Sequence, residues 1–356
     1  KQHELVARIG GDEFCILIKN SQESKENIIT LATHCLEDIS QSVDLLGRRF
    51  IPTCSLGIAR YPLDGQDISS LLKAADTALY SAKDQGKNGY AFYQVELTHQ
   101  AEYRFKVEHF LREAIENEAL TLVYQTQVDI KTGNILGVEA LARWHHPELG
   151  TIPPSDFIPI AERIGMIKPL TAWVLKTACQ QAITWKSSGI QILRMAVNIS
   201  PSHFLETDFV TLIDHTIRST GMPPASLKLE VTESAVQTNQ ANLSVFKRLK
   251  ELGVLIAIDD FGTGYSSFAS LKHLYVDVLK IDKYFVDDIL TNDKARDLFC
   301  SMIKMGQKLG YEIISEGVET QEQFNLLQTL GCDTVQGYLF SKPASADEIS
   351  PLLPHI

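Results

Sequence analysis

The amino-acid sequence predicts an α/β protein whose larger, C-terminal part is a (β/α)8 barrel. From Leu120 onward, short apolar segments alternate with longer amphipathic segments, which is the pattern of strands joined by helical crossovers. The alternation gives eight strands, the number that closes a barrel of this kind. In addition, seven successive strands carry a polar side chain at or near the carboxyl end, where such barrels build their active sites.

The predicted barrel strands are short, and amphipathic helices separate most of them. In chain order the strands are Leu120–Val128, Ile135–Leu141, Leu193–Ile199, Leu227–Val231, Val254–Ile258, Val276–Ile281, Glu312–Ser315 and Thr334–Leu339. The predicted helices are Leu170–Ser187, Phe204–Ser219, Asn242–Leu252, Ala295–Leu309 and Gln321–Leu330. Strands that alternate with helices in this way favour a closed parallel barrel over an open sheet.

The residues before the barrel predict a smaller, mixed α/β segment. Its predicted strands and helices are Phe14–Ile18, Ser24–Ile39, Cys54–Ala59 and Leu71–Lys83, and the last helix stops at Gly86. A charged, periodic stretch follows and is interpreted as a connecting helix. We therefore divide the chain into a partial domain over residues 1–94, a connecting helix over 95–117 and a barrel domain over 105–356.

Composition restricts the possible partners. The chain is 44% hydrophobic and has a formal net charge of −11, which argues against a nucleic acid polymer as ligand. No apolar run approaches the roughly 20 residues that span a bilayer, and we expect no membrane contact from this chain. The six cysteines lack C-x-x-C spacing, which favours a reducing, cytoplasmic location. A parent protein anchored through a region N-terminal to this sequence is compatible with that location.

The polar side chains at the predicted strand ends form a candidate metal site. They are Glu139, Asn198, Glu230, Asp259, Asp260, Lys280, Glu316 and Gln336. So many carboxylates repel one another unless cations compensate them, and an all-oxygen ligand set favours Mg²⁺ or Mn²⁺ over zinc. Adjacent Asp259 and Asp260 suit two metal ions about 4 Å apart that activate water for phosphodiester hydrolysis. Lys280 is then expected to orient the water or neutralise developing charge, and Glu316 to bind the second ion or accept a proton.

Each residue also has an ordinary explanation. A single Glu or Asp at a strand end usually caps a helix or faces water, but recurrence on seven strands weakens that explanation. His145 and His146 are not predicted to bind metal together, because adjacent side chains point in different directions, and a loop after Trp144 is the favoured interpretation. The segment from Gly262 to Gly264 lacks the Lys-Ser/Thr ending of a P-loop and is interpreted as a turn.

The ordered motifs of the C-terminal part resemble those of EAL-domain cyclic di-GMP phosphodiesterases. The matching segments are VEALARW around Glu139, FIPIAERIG (157–165), VNIS (197–200), LEVTES (229–234), DDFGTGYSS (259–267), LKID (279–282), EGVE (316–319) and QGYLFSKP (336–343). The departures are small, since Thr126 replaces a common proline and Ser315 a common alanine. Neither departure removes a residue of the candidate site.

The resemblance implies a fold, a reaction and a set of residue roles. It implies a modified TIM barrel with an antiparallel first strand, hydrolysis of cyclic di-GMP to linear pGpG, and possible homodimerisation through the barrel. The implied metal ligands for two Mg²⁺ or Mn²⁺ ions are Glu139, Asn198, Glu230, Asp259, Asp260 and Glu316. The implied catalytic residues are Glu139, Asp260, Lys280 and Glu316, and the implied substrate contacts are Arg143, Gln336 and Glu319. Glu233 matches a glutamate that steadies the loop after the fifth strand.

The N-terminal segment resembles the second half of a GGDEF domain, the fold of cyclic di-GMP synthases. The motif Gly10–Phe14 is intact, and SLGIA (55–59) and ADTALYSAK (75–83) agree with it. Because the first half is missing from this sequence, we expect a regulatory segment without cyclase activity. Two other functions stay open at this point: a cyclic di-GMP receptor without turnover, and an enolase-like lyase, which also sets lysine and carboxylates on barrel strand ends.

Overall fold

A computed structural model describes residues 4–19, 25–45, 47–84, 86–191, 194–233, 239–263 and 275–355. The chain divides into two compact units, Lys1–Lys106 and Val107–Ile356. The division falls inside a long helix, α3 (Val95–Glu116), in agreement with the helix predicted from the charged periodic stretch. None of the described helices combines the length and apolar character needed to cross a membrane.

In the N-terminal unit, the described strands pair in three separate two-stranded sheets. The elements are β1 (Glu4–Gly10), β2 (Glu13–Ile18), α1 (Lys25–Ile39), β3 (Val43–Leu45), β4 (Arg48–Phe50), β5 (Leu56–Ile58), α2 (Ile68–Asp84) and β6 (Tyr90–Phe92). Both predicted helices and both predicted strands of this segment are present, and β1, β3, β4 and β6 are additional. Helix α2 packs closely on β5 because Gly57 has no side chain: a Cβ there would lie 2.0 Å from the Ala75 carbonyl oxygen.

The C-terminal unit is a closed barrel of eight strands. They are β7 (Thr121–Asp129), β8 (Ile135–His146), β10 (Arg194–Ile199), β11 (Leu227–Thr232), β12 (Leu255–Phe261), β13 (Val278–Ile281), β14 (Glu312–Ser315) and β15 (Thr334–Gln336). Neighbouring strands from β10 to β15 are parallel, β15 pairs with β7, and β8 pairs with β10 to close the ring. Strand β7 is antiparallel to both neighbours, which confirms the modified barrel that the resemblance implies.

Helices surround the barrel and cover its strands with apolar side chains. They are α4 (Pro154–Arg163), α5 (Ile167–Ser187), α6 (Pro201–Phe204), α7 (Phe209–Thr220), α8 (Asn239–Leu252), α9 (Lys283–Asp287), α10 (Asp293–Lys308), α11 (Gln321–Leu330) and α12 (Ala346–Ile349). Helix α11 begins with a capping box between Thr320 and Gln323 and ends at Gly331, whose φ of 82° is left-handed. Both signals are local, and for this reason its predicted bounds match the structure.

Several predicted boundaries and one predicted loop are wrong. Within the segment predicted as one helix over 204–219, α6 ends at Phe204 and α7 begins only at Phe209, and the last predicted strand ends at Gln336 instead of Leu339. His145 and His146 do not lie in a loop, because β8 continues through both. They pair there with a short strand, β9 (Gly150–Ile152), and this pairing extends β8 past Arg143, where its pairing with β7 ends.

Candidate active site

The polar residues predicted at the strand ends lie at one end of the barrel. Their positions are Glu139 in β8, Asn198 in β10, Glu230 in β11, Asp259 and Asp260 in β12, Lys280 in β13, Glu316 directly after β14 and Gln336 in β15. Glu230 and Lys280 are each 1% exposed, whereas Asn198 and Asp260 reach solvent. The site therefore has a buried floor and an open rim, which suits a substrate that enters from water.

Lys280 is the central cation of the site. Its Nζ lies 2.5 Å from Oε2 of Glu230, 2.7 Å from Oε1 of Glu316, 3.1 Å from Oδ1 of Asp259 and 3.5 Å from Oε2 of Glu139. Burial alone would lower the pKa of Lys280, but these carboxylates raise it well above its ordinary value. The lysine therefore stays protonated and holds four acidic side chains around one point.

Glu139 is held by donors on both carboxylate oxygens. Asn198 Nδ2 donates to Oε1 at 2.5 Å, and Gln336 Nε2 donates to Oε2 at 2.6 Å. Burial raises the pKa of Glu139, but Lys280 and the two amides outweigh it, so the pKa lies below its ordinary value. Glu139 is consequently a buried carboxylate that stays ionised, the form that binds a cation.

The adjacent aspartates face one cluster because the backbone of β12 is irregular. In a regular strand, neighbouring side chains point to opposite faces. Here the pairing of β12 with β13 shifts between Ile258 and Phe261, and Asp260 has a φ of 54°, an unusual value outside glycine. As a result, carboxylate oxygens of Asp259, Asp260 and Glu316 all lie within 4.8 Å of one another.

The acidic side chains carry more negative charge than the lysines compensate. Burial, opposed by Lys280, raises the pKa of Glu230 to about 7 and that of Glu316 to about 8. Burial, together with the charge of Asp259, also raises the pKa of Asp260. In addition, Oε1 of Glu230 is buried and accepts no hydrogen bond, although it lies 3.4 Å from Nζ of Lys228. Crowded, desolvated oxygen ligands with an unsatisfied atom fit a hard divalent cation.

The three remaining predicted site residues lie around this cluster in different surroundings. Arg143 is half-buried on β8, and its Nη1 donates to the Ala142 carbonyl at 2.9 Å. Glu319 is exposed, and its Oε1 lies 3.0 Å from Nζ of Lys283, a residue that is not part of the carboxylate cluster. Glu233 is 4% exposed, and its Oε2 accepts the backbone N–H of Gly262 at 2.9 Å, directly beyond the paired aspartates. The rest of the predicted DDFGTGYSS segment, from residue 264, lies outside the described residues.

Sequence reasoning missed a polar layer beneath the carboxylates. Lys228, Gln125 and Gln127 are at most 7% exposed and face the barrel interior. A signal was present, because Lys228 lies two residues before Glu230, and strand alternation puts both on the same face. The same alternation on β7 places Gln125, the register partner of Glu139, on one face with Gln127.

Comparisons with protein families match the two units separately. The family described as "EAL domain" matches residues 109–343, and "Diguanylate cyclase, GGDEF domain" matches residues 1–89. Among curated proteins, the chain is 38% identical over 350 residues to the "Bifunctional diguanylate cyclase/cyclic di-GMP phosphodiesterase MucR" of Pseudomonas aeruginosa. It is 38% identical over 344 residues to the "Cyclic di-GMP phosphodiesterase NbdA" of the same species. These alignments cover 98% and 96% of this chain but 51% and 44% of the relatives, so the chain spans about half their length.

Solved structures show the same barrel. A structure titled "PaMucR Phosphodiesterase, c-di-GMP complex" is 38% identical, with a TM-score of 0.66 over 68% of this chain and 99% of that chain. One titled "Structure of EAL Enzyme Bd1971 - cAMP and cyclic-di-GMP bound form" is 30% identical, with a TM-score of 0.68 over 81% of this chain and 76% of that chain.

Proposed function

This chain belongs to the EAL domain family, with a GGDEF-type segment before the barrel, and on that premise we propose that the barrel is a metal-dependent phosphodiesterase that hydrolyses cyclic di-GMP to linear pGpG. One observation carries the proposal. A fully buried lysine gathers four carboxylates at the open end of the barrel, and three acidic side chains beside it have the mutual spacing of metal ligands. Relatives that align over nearly all of this chain are named for the same substrate.

The proposed metal ligands are those implied by the resemblance: Glu139, Asn198, Glu230, Asp259, Asp260 and Glu316. Two bound Mg²⁺ or Mn²⁺ ions would supply Lewis-acid stabilisation of the phosphoryl group and lower the pKa of water. Lys280 holds the carboxylates at fixed positions and offers positive charge where the reacting phosphate gains negative charge. Asp260 and Glu316 are the carboxylates at the rim that can accept the proton of the attacking water.

The remaining roles in this proposal concern the substrate and the loop. Arg143 presents a planar guanidinium suited to a phosphate, and Gln336 donates from the floor of the site. For Glu319 we propose a substrate contact that requires it to leave its pairing with Lys283. Glu233 steadies the start of the loop after β12 through the N–H of Gly262. Homodimerisation through the barrel stays a prediction from the resemblance.

The GGDEF-type segment is proposed to regulate the barrel rather than to make cyclic di-GMP. Asp12 and Glu13 of its motif are exposed on the hairpin of β1 and β2. Within the described residues, the acidic group with metal-ligand spacing lies in the barrel, and the N-terminal unit contributes none. A receptor without turnover is the competing function, because binding needs the same pocket but not the chemistry.

Incubation of the purified chain with cyclic di-GMP and Mg²⁺ or Mn²⁺, with chromatographic separation of products, tests the proposal. We expect pGpG from the wild-type chain, none after chelation of the metal and none from Glu139→Ala. The exposed Glu322→Ala in α11 is a matched control that should retain activity. Tight binding of cyclic di-GMP by the wild-type chain without any pGpG would overturn the phosphodiesterase and favour the receptor.

A further inference from the structure

A continuous row of buried hydrogen bonds runs beneath the candidate site, and we call it the amide relay. Lys228 Nζ donates to Gln127 Oε1 at 2.6 Å, and Gln127 Nε2 donates to Gln336 Oε1 at 2.8 Å. Gln336 Nε2 in turn donates to Glu139 Oε2 at 2.6 Å. The exposures of these four residues are 0%, 2%, 5% and 5%, so water does not compete for the contacts.

The groups at the two ends of the relay determine the direction in which its hydrogen bonds are donated. A protonated lysine carries only donors and an ionised glutamate only acceptors, whereas each amide between them has one end of each kind. Burial lowers the pKa of Lys228 and Glu230 opposes this shift. In either protonation state, however, Nζ carries hydrogens and faces the oxygens of Gln127 and Glu230. Both amides are therefore oriented so that the NH₂ group of Gln336 points to Glu139.

Lys228 reaches this relay across the inside of the barrel. It lies on β11, which is separated from β7 in the sheet by β10 and β8. Gln127 on β7 and Gln336 on β15 are register partners, so the second link of the relay is a cross-strand pair. Its Nζ also lies 3.4 Å from Oε1 of Glu230, a proposed metal ligand, whereas its hydrogen-bonded connection to Glu139 passes through two side-chain amides.

We propose that Lys228 is a positioning residue for the hydrolysis: through Gln127 and Gln336 it fixes the Glu139 carboxylate in the orientation that binds a divalent cation. The inference rests on the proposed function. Without Lys228, the oxygen of Gln127 is buried without a donor, an unfavourable state that rotation of the amide relieves. The NH₂ group of Gln336 donates to Gln125 Oε1 at 3.1 Å as well as to Glu139, so Glu139 loses this donor when the Gln336 amide rotates in response to Gln127. Outer partners of metal ligands typically contribute about 10–100-fold to metal affinity or activity.

Two variants cut the relay at different links. Lys228→Met keeps most of the length of the side chain and removes the donor. Gln127→Glu keeps the pairing with Lys228 but removes the donor to Gln336, so the Gln336 amide turns its NH₂ group toward position 127. The added negative charge alone would tighten cation binding, so weaker binding in Gln127→Glu isolates the effect of orientation.

The readout is Mn²⁺ binding to the substrate-free chain, measured by titration calorimetry, together with the Mn²⁺ dependence of pGpG formation. We expect both variants to raise the Mn²⁺ Kd about 10-fold or more, and excess Mn²⁺ to restore much of the lost kcat. Exposed Lys176→Met on α5 should leave the Kd unchanged. Leu175→Ala, a buried substitution in the same helix, should lower the melting temperature and also leave the Kd unchanged.

Unchanged Mn²⁺ affinity in Gln127→Glu would overturn the inference even if Lys228→Met failed to fold. An equal loss of affinity in Leu175→Ala would also overturn it, because instability alone would then explain the effect. Failure of the wild-type chain to form pGpG would instead overturn the proposed function, since the calorimetric series needs no turnover.

Discussion

The two units of the chain differ in what they bury. In the barrel unit, the fully buried side chains include Trp144, Phe157 and Phe204, and buried polar side chains such as Lys228 and Gln127 line the interior. In the described part of the N-terminal unit, the buried apolar side chains are all alanines: Ala32, Ala74, Ala78 and Ala82. Larger apolar side chains of that unit, such as Leu5, Val6 and Phe14, are more than 60% exposed, at 62%, 63% and 63%.

Among the described residues, the large buried side chains that stabilise the fold and the acidic cluster both lie in the barrel unit. Burying a large apolar side chain contributes about 1.5–3 kcal/mol, and the barrel has many such side chains around its strands. A buried cluster of like charges needs such a scaffold, because desolvation and repulsion both act against it. We therefore expect substitutions in the barrel to change stability and activity strongly, and matched substitutions in the described hairpin of β1 and β2 to change little.

The largest expected difference is in stability. Phe157→Ala removes a ring that is 0% exposed and lies 5.9 Å from the ring of Trp144, and we expect a loss of about 3–5 kcal/mol. Phe14→Ala removes a ring that is 63% exposed, and we expect a change within about 0.5 kcal/mol. All three tryptophans lie in the barrel unit, so urea unfolding followed by tryptophan fluorescence reports on the barrel. Similar midpoint shifts in the two variants would show that the units unfold together.

The next difference is in catalysis. Lys280→Met removes the cation that contacts four carboxylates, and we expect kcat to fall by about 100–1,000-fold with Mg²⁺ present. Glu13→Gln changes an exposed carboxylate in the Gly10–Phe14 motif and should leave hydrolysis of cyclic di-GMP within twofold of wild type, about 0.4 kcal/mol. Thermal melting in Mg²⁺ verifies that both variants are folded. A strong loss in Glu13→Gln would place part of the chemistry in the N-terminal unit.

The fold was predictable from the sequence to the extent that its signals are local. The alternation of short apolar segments with longer amphipathic segments predicted the eight barrel strands and helix α11. The extension of β8 through His145 and His146 was not predictable in this way, because it depends on pairing with residues 150–152. Strands β3 and β4 were missed for a similar reason, since each is three residues long and is defined by its partner.

The candidate site, too, was predictable from the sequence only in part. The residue types at the strand ends and the family motifs identified the carboxylates, Asn198 and Lys280. They did not reveal that the positive φ of Asp260 turns two adjacent side chains toward one cluster. Lys228 was not predicted because the prediction rested on strand ends, whereas this lysine lies below the rim and donates to Gln127 across the barrel interior.

The smallest expected difference concerns pH and metal, and it tests the acidic cluster directly. The pKa of Glu230 is raised to about 7 and that of Glu316 to about 8 from an ordinary value of 4.5. The folded, metal-free barrel therefore binds protons more strongly than the unfolded chain, and its stability falls as pH rises through this window. A divalent cation replaces those protons, so it should stabilise the barrel more as pH increases.

We accordingly expect the rise in melting temperature on addition of Mg²⁺ to be larger at about pH 8.5 than at about pH 6, by several degrees. Tryptophan fluorescence restricts the measurement to the barrel. Glu316→Gln removes one of the raised pKa values and should flatten the pH dependence of the metal-free chain, whereas Glu13→Gln should leave it unchanged. If the rise were the same at both pH values, the protons and the cation would not compete for the same oxygens. Some group other than a divalent cation would then compensate the excess negative charge in the barrel. The contrast with the N-terminal unit would in that case consist only of the packing of large apolar side chains.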